Sequence, residues 1–230
     1  MTGVQLQQGR KEKSWTQQEA AMKLGVSQPY LALMENEQRR VPGKLARRAA
    51  NLYGLSLTAL PLEEDWNQTS QCSAKDLAAY LAGLGYPGFA YLKAVKKSRN
   101  PAEVLLMALS CEELESRLAE ALPWVVFQYP DLDWRWLVPA VKTRDLQNRL
   151  GFVIVLARRL AQQQGNQKVV RLLEEQEAVL ERARLVREET FCRQSLTNAE
   201  RNWLRRNRPP EARHWNLLTD LSLDDLHYAK

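Results

Sequence analysis

Residues 16–36 leave the backbone few choices. Thr16-Gln-Gln-Glu19 has the spacing of a capping box, in which each side chain satisfies a backbone N–H that a helix start leaves open. Gly25-Val26 supplies a turn after Leu24, and Ser27 then caps another short helix through Glu35. Ala20, Leu24, Val26, Leu31 and Met34 recur at helical spacing and define the face on which the two helices meet.

The flanking residues extend this unit. Leu6 to Lys13 forms a first helix, Pro42 opens a fourth that ends near Tyr53-Gly54, and a short fifth follows from Leu57. Leu45, Ala49 and Leu52 continue the apolar face. Two short helices joined by a glycine-containing turn have helix-turn-helix geometry.

Charge singles out the same region. Residues 1–56 carry nine basic and four acidic side chains, whereas residues 99–230 carry twenty and nineteen. The overall charge of +6 is therefore concentrated in the first quarter of the chain. That favours a local polyanion-binding module over a generally basic protein, the alternative being a solvated basic surface.

The rest of the chain also reads as helical. No segment sustains period-two alternation, and neither Asn-Gly nor Asp-Gly occurs. Ser73-Ala-Lys-Asp76 and Ser110-Cys-Glu-Glu113 look like further capping boxes, and Asn100-Pro101 like an N-cap followed by proline at the first helical position. Gly25, Gly54, Gly165 and Pro123 are expected stops. Short helices are expected over 73–97, around the turn GLGYPGF, and two more over 98–122. Longer ones are expected over 140–164 and 167–193. The fold class is all-α: a five-helix N-terminal unit over residues 1–60, a polar linker over 61–72, and a multi-helical unit over 73–230 that binds a partner, dimerises or does both. In the helix at 167–193, residues 172, 176, 179, 183 and 186 alternate steps of four and three, as a coiled-coil seam would; burial within the unit's own core is the alternative.

The stretch Trp15-Thr-Gln-Gln-Glu-Ala-Ala-Met-Lys-Leu-Gly-Val-Ser-Gln-Pro-Tyr-Leu-Ala-Leu-Met-Glu-Asn36 resembles the XRE/Cro-repressor family of helix-turn-helix DNA-binding domains. The likeness covers roughly residues 4–58. It implies that the third helix enters the major groove of double-stranded DNA, on a palindromic operator bound by a homodimer. Gln28 matches the family's base-reading glutamine, and a glutamine amide pairs bidentately with adenine. Pro29, Tyr30, Ala32 and Leu33 fill the remaining reading positions. Leu33 stands where a polar residue is common and offers only apolar contact, as to a thymine methyl. Gln17 matches the residue that touches phosphate and steadies the reading glutamine, with Ser27 beside it. Arg39, Arg40, Lys44, Arg47 and Arg48 would lie on phosphate, which positions rather than specifies. Asn36-Glu37 replaces the usual Asn-Gly, so a different turn is expected there.

The C-terminal unit holds five of the seven tryptophans. Trp124, Phe127, Tyr129, Trp134 and Trp136 crowd one proline-rich stretch, either as a partner-binding surface or as core. An XRE-type unit with a helical tail resembles the antitoxin half of bacterial toxin–antitoxin systems. LPWVVFQYPDLDWRWLV and DLQNRLGFVIVLARRL resemble antitoxins of abortive-infection nucleotidyltransferase toxins. The resemblance implies repression of a shared operon and neutralisation of a toxin partner, itself nucleotidyltransferase-like. A stand-alone repressor whose tail dimerises or senses a ligand is the alternative reading. A third is a HEPN-like ribonuclease, on the arginine-to-histidine spacing of Arg208 and His214, which Pro209 and Pro210 oppose.

Other chemistry has little support. Asp131 and Asp133 read as turn and N-cap residues, and no phosphate-binding glycine pattern occurs. No catalytic residue, metal site or cofactor is expected. Only His214 and His227 are histidines, and Cys72, Cys111 and Cys192 read as free thiols in a reducing cytosol. GFVIVLA, the longest apolar run, is too short to cross a membrane, and the first residues lack the apolar stretch of a signal peptide.

Overall fold

The computed structural model describes residues 1–62, 73–92, 99–191, 193–226 and 228. Residues 63–72 of the expected linker, with Cys72, Cys192 and His227, lie outside the described residues. The chain forms two compact units, Met1–Gln68 with Lys97–Asn100 and Thr69–Lys96 with Pro101–Lys230. Both are helical, and the fold class is all-α.

The first unit packs α1 (Gly3–Glu12), α2 (Gln17–Leu24), α3 (Gln28–Glu35) and α4 (Gly43–Tyr53), followed by a single 3-10 turn at Leu57–Ala59 where a fifth helix was expected. Capping explains where they start. Thr16 and Ser27 accept from the backbone N–H of Glu19 and Tyr30. Thr2 and Gln5 form a second capping box beside that of Thr16 and Glu19, starting α1 three residues before the apolar pattern indicates. Leu6, Ala20, Ala21, Leu24, Leu31, Met34, Leu45, Ala49 and Tyr53 make the core, with Val26 and Leu52 packed partly buried against it.

The helix ends follow one rule. Gly25 and Gly54 close α2 and α4 in the left-handed region, at φ 68° and 71°. Ser14, Glu37 and Asp145 adopt the same conformation without being glycine, at φ 57°, 58° and 56°. At Glu37 the loop is closed by Gln38 N–H to Leu33 C=O at 2.9 Å and Glu37 N–H to Met34 C=O at 3.1 Å. The turn after α3 therefore keeps the geometry that Asn-Gly would take, contrary to expectation. Two hydrogen bonds hold the glutamate in a conformation costing about 1–2 kcal/mol.

The second unit contains α5 (Ala74–Gly83), α6 (Pro101–Ser110), α7 (Ser116–Gln128), α8 (Trp134–Lys142), α9 (Gln147–Gln163), α10 (Gln167–Glu181), α11 (Asn198–Asn207) and the short α12 (Pro210–His214). Ser73 and Asp133 cap α5 and α8. α9 lies at the centre, buried from Gln147 through Ala157 on every face, between α7 and α10. Among the described residues no helix is long and apolar enough to cross a membrane.

Four expectations are corrected. Ser110 starts no helix: it ends α6, its hydroxyl donating to Leu106 C=O at 2.8 Å, and Glu113 accepts from Ser195 N–H at 2.9 Å instead. Pro123 does not stop α7. An interior proline costs about 3 kcal/mol, but Leu122, Val125 and Val126 beside it are buried, each contributing about 1.5–3 kcal/mol. The helix expected over 140–164 is two, because Asp145 takes the left-handed closure between α8 and α9. The helix expected over 167–193 ends at Glu181, for a reason that lies in α9.

Gln147, Asn148 and Arg149 open α9 and are all buried. Gln147 donates to Ala183 C=O at 3.1 Å; Asn148 donates to Leu185 C=O and accepts from Leu185 N–H, both at 2.9 Å. Arg149 lies 3.5 Å from the Glu189 carboxylate. These side chains hold residues 183–189 out of helix, where the chain forms β1 (Glu189–Thr190), parallel to β2 (Leu217–Leu218) with Glu189 opposite Leu217. Ala183 and Val186 of the expected seam thus lie past the helix, and Val186 is 92 % exposed. Val169, Val170, Leu173 and Leu180 are the buried residues of α10, on its face toward α9.

Gly151 marks the tightest contact in this unit. A methyl group added there would come within 2.4–2.5 Å of the fully buried Trp215 ring. Gly151→Ala is expected to destabilise the second unit by about 1–3 kcal/mol. Tryptophan fluorescence during chemical denaturation measures it, as an earlier transition for that unit.

Candidate nucleic-acid interface

α3 presents one face outward because its other face is core. Leu31, Met34 and Glu35 are buried, while Gln28, Pro29 and Leu33 are exposed and Tyr30 and Ala32 are half-buried. Ser27 starts the helix just before Gln28, so the glutamine projects from its first turn.

Gln28 does not hang free. Its Nε2 donates to Gln17 Oε1 at 2.7 Å. Gln17 Nε2 donates in turn to Glu35 Oε2 at 2.9 Å. Glu35 accepts two bonds from Arg10, Nε to Oε1 at 2.7 Å and a terminal nitrogen to Oε2 at 2.8 Å. Arg10 also donates to Trp15 C=O at 2.9 Å. A relay of four side chains thus links α1, α2 and α3 and ends at an exposed amide. The Glu35 side chain is fully buried and that of Arg10 is 11 % exposed.

Burial alone would raise the Glu35 carboxyl. The hydrogen bonds from Arg10 and Gln17 and the positive charges of Arg10 and Lys11 outweigh it, holding the group below its ordinary value. The same arrangement raises the Arg10 guanidinium, through its hydrogen bond to Glu35. Burial pushes the neighbouring Tyr53 hydroxyl up to about 12.

The basic residues are placed differently from one another. Arg39, Arg40 and Lys44 are exposed and Arg47 is half-buried. Arg39 lies 4.8 Å above the Tyr30 ring, so that ring is partly covered and less available for base contact than Gln28. Arg48 reaches over Gly25, where an added methyl would meet its guanidinium at 2.9 Å. Lys23 lies 4.7 Å from the Trp15 ring centre. Gln17, Met22 and Gln28 line a shallow depression between α2 and α3. Met22 is 68 % exposed there and was not among the residues expected at the site.

Arg10 and Glu35 were not among them either. Their only sequence signal is position: Arg10 follows the Leu6–Gly9 face of α1, and Glu35 extends the Leu31–Met34 face of α3. A charge on an apolar face calls for a partner of opposite sign, but the partner is 25 residues away.

In the second unit the aromatic stretch separates into interior and surface. Trp124 is buried, stacked edge-on with Tyr86 and Tyr129 at 5.4 and 6.2 Å, and is therefore core rather than a partner-binding residue. The half-buried Tyr129 is held as well, its hydroxyl donating to Leu84 C=O at 2.7 Å. Phe127, Trp134 and Trp136 are half-buried. Trp134 lines a groove with Leu132, Val138, Pro139, Gln176 and Val179, between α8 and α10.

Arg208 and His214 do not converge. Arg208 bonds to Leu217 C=O and the Glu188 carboxylate, whereas His214 bonds to Glu181 at 2.7 Å. Pro209 is the N-cap of α12, so no continuous helix joins them. Cys111 is a free thiol, half-buried, its pKa raised by burial. Among the described residues no cluster of histidine, cysteine and carboxylate side chains could hold a metal ion.

The buried carboxylate makes the first unit sensitive to acid. Its depressed pKa contributes stability that is complete above the ordinary glutamate value of about 4.3 and is lost as pH falls through the lower folded value. Glu35→Ala leaves Arg10 buried without its partner and is expected to cost about 3–5 kcal/mol, with a flatter acid limb. Thermal unfolding of both proteins between pH 3 and 7, as roughly chosen around that value, checks both effects.

The helix-turn-helix family model matches residues 6–60. Neither a curated protein nor a solved structure matches the chain. Residues 6–60 are a DNA-binding helix-turn-helix domain of the XRE type.

Proposed function

We propose that this protein is a sequence-specific transcriptional repressor and the antitoxin of a toxin–antitoxin pair. The observation that carries the first half is the Gln28–Gln17–Glu35–Arg10 relay, which fixes an amide at the outward end of α3. Gln28 uses one N–H on Gln17, so its carbonyl oxygen and second N–H remain for the N6 and N7 atoms of an adenine. Arg39, Arg40, Lys44 and Arg47 hold phosphate, and Gln17 with Ser27 supports the reading helix. A homodimer on a two-fold operator supplies the affinity that one small module lacks.

The second unit supplies the protein partner's surface, and the chain acts by binding rather than catalysis. What supports this is a separate helical core that still leaves Trp134 and Trp136 half-exposed and Val179 exposed along α8 and α10. The toxin, nucleotidyltransferase-like by the tail's resemblance, docks there.

One observation favours a second reading, a repressor whose tail senses a ligand. The second unit has an open pocket of about 510 Å³ lined by Glu120, Arg193, Trp203, Leu218 and Asp220, within the size range of small-molecule sites.

Two experiments test the proposal. Gln28→Ala is expected to weaken operator binding by about 1–3 kcal/mol at matched salt, and an unaltered affinity places the reading face elsewhere. Expression of the adjacent gene should arrest growth, and co-expression of the full chain carrying Gln28→Ala should restore it. A harmless neighbour removes the antitoxin half and leaves the ligand-sensing repressor.

A further inference from the structure

We infer that the outward face of α3 beyond Gln28 recognises C5-methyl groups, so that the DNA half-site pairs one adenine with a methylated pyrimidine a few base steps away. This rests on the proposal that α3 reads bases, and it follows from what that face lacks.

Pro29 and Leu33 are the exposed residues that follow Gln28, with Ala32 half-buried between them. Leu33 is 40 % exposed although large and apolar. None of these three side chains has a hydrogen-bond donor or acceptor, and Pro29 has no backbone N–H. In the major groove each base pair presents polar atoms, and thymine adds its methyl group. A side chain that makes no hydrogen bond gains nothing from the polar atoms and leaves them desolvated, which is unfavourable. The C5-methyl is the one feature against which Leu33 gains by packing.

The helix sets the spacing. Five residues separate Gln28 from Leu33, about 7.5 Å along the axis, and base pairs are stacked about 3.4 Å apart. Because α3 lies along the groove rather than along the DNA axis, that rise only bounds the separation, and the methyl lies within a few steps of the adenine. Its source is secondary to its position: 5-methylcytosine carries the same group as thymine at the same place. The relay that fixes Gln28 makes the spacing specific, because an amide held at 2.7 Å by Gln17 cannot follow a shifted helix onto a neighbouring base. Exposed Met22 lies on α2 across the depression from Gln28 and takes no part in this face.

The test uses the full-length protein. Duplexes bound from a random pool define the preferred site, and each thymine in it is then replaced by uracil, which removes only the methyl. At matched salt, uracil at one thymine within a few steps of the adenine should weaken binding about fourfold, the factor that burial of one methylene-sized group corresponds to. Cytosine at that step should bind more weakly than 5-methylcytosine by a similar factor. In Leu33→Ala, a surface substitution, the thymine and uracil duplexes should bind alike. A preferred site with no uracil effect, or an undiminished effect in Leu33→Ala, overturns this inference alone. A pool with no preferred sequence overturns base reading by α3 and the methyl inference with it.

Discussion

A carboxylate removed from water must have its charge met, and Glu35 is the point around which the DNA-binding unit is arranged. Its side chain is fully buried at the end of α3, and three hydrogen bonds converge on it from two other helices. The guanidinium of Arg10 matches the carboxylate in a two-point geometry, which fixes direction as well as distance. An ion pair of this kind adds little net stability over apolar packing of equal volume. What it adds here is position. Gln17 satisfies the remaining demand of Glu35, and the orientation that follows leaves Gln17 Oε1 aimed at Gln28.

For the base reading proposed for Gln28, function depends on interior chemistry. An exposed glutamine at a helix N-terminus samples several rotamers in water, and ordering it on DNA costs free energy. Here the core orders it beforehand. The apolar contacts of Leu6, Leu24, Leu31 and Met34 hold three helices together, and the polar relay carries that rigidity to the surface. The departures Leu33 and Glu37 leave this frame untouched: one lies on the outer face, and the other is accommodated by a closed hydrogen-bonded turn.

The second unit applies the same device to a different end. Gln147, Asn148 and Arg149 are buried polar residues at the start of the central helix, and their partners are backbone groups of residues 109–111 and 183–185. They determine where α10 ends and where the two-residue parallel pair forms. The aromatic residues fall on both sides of the resulting surface, Trp124 and Trp215 inside, Trp134, Trp136 and Trp203 toward solvent.

Local chemistry made much of this legible in the chain itself. Thr16, Ser27, Ser73 and Asp133 begin helices because a side-chain oxygen meets a nearby N–H, and Gly25, Gly54 and Gly165 end or follow them at positive φ. Those interactions span a few residues, so sequence alone determines them, together with the all-α class and the apolar face of the first unit. The tertiary structure decided what depends on distant partners. Ser14, Glu37 and Asp145 turn left-handed although nothing in their identity demands it; Pro123 stays in a helix because its surroundings are buried; α10 stops where side chains from α9 take its successors' backbone. The Arg10–Glu35 pair belongs to the same group. Each residue alone reads as a surface charge, and only folding, by burying both, makes each the other's necessary partner.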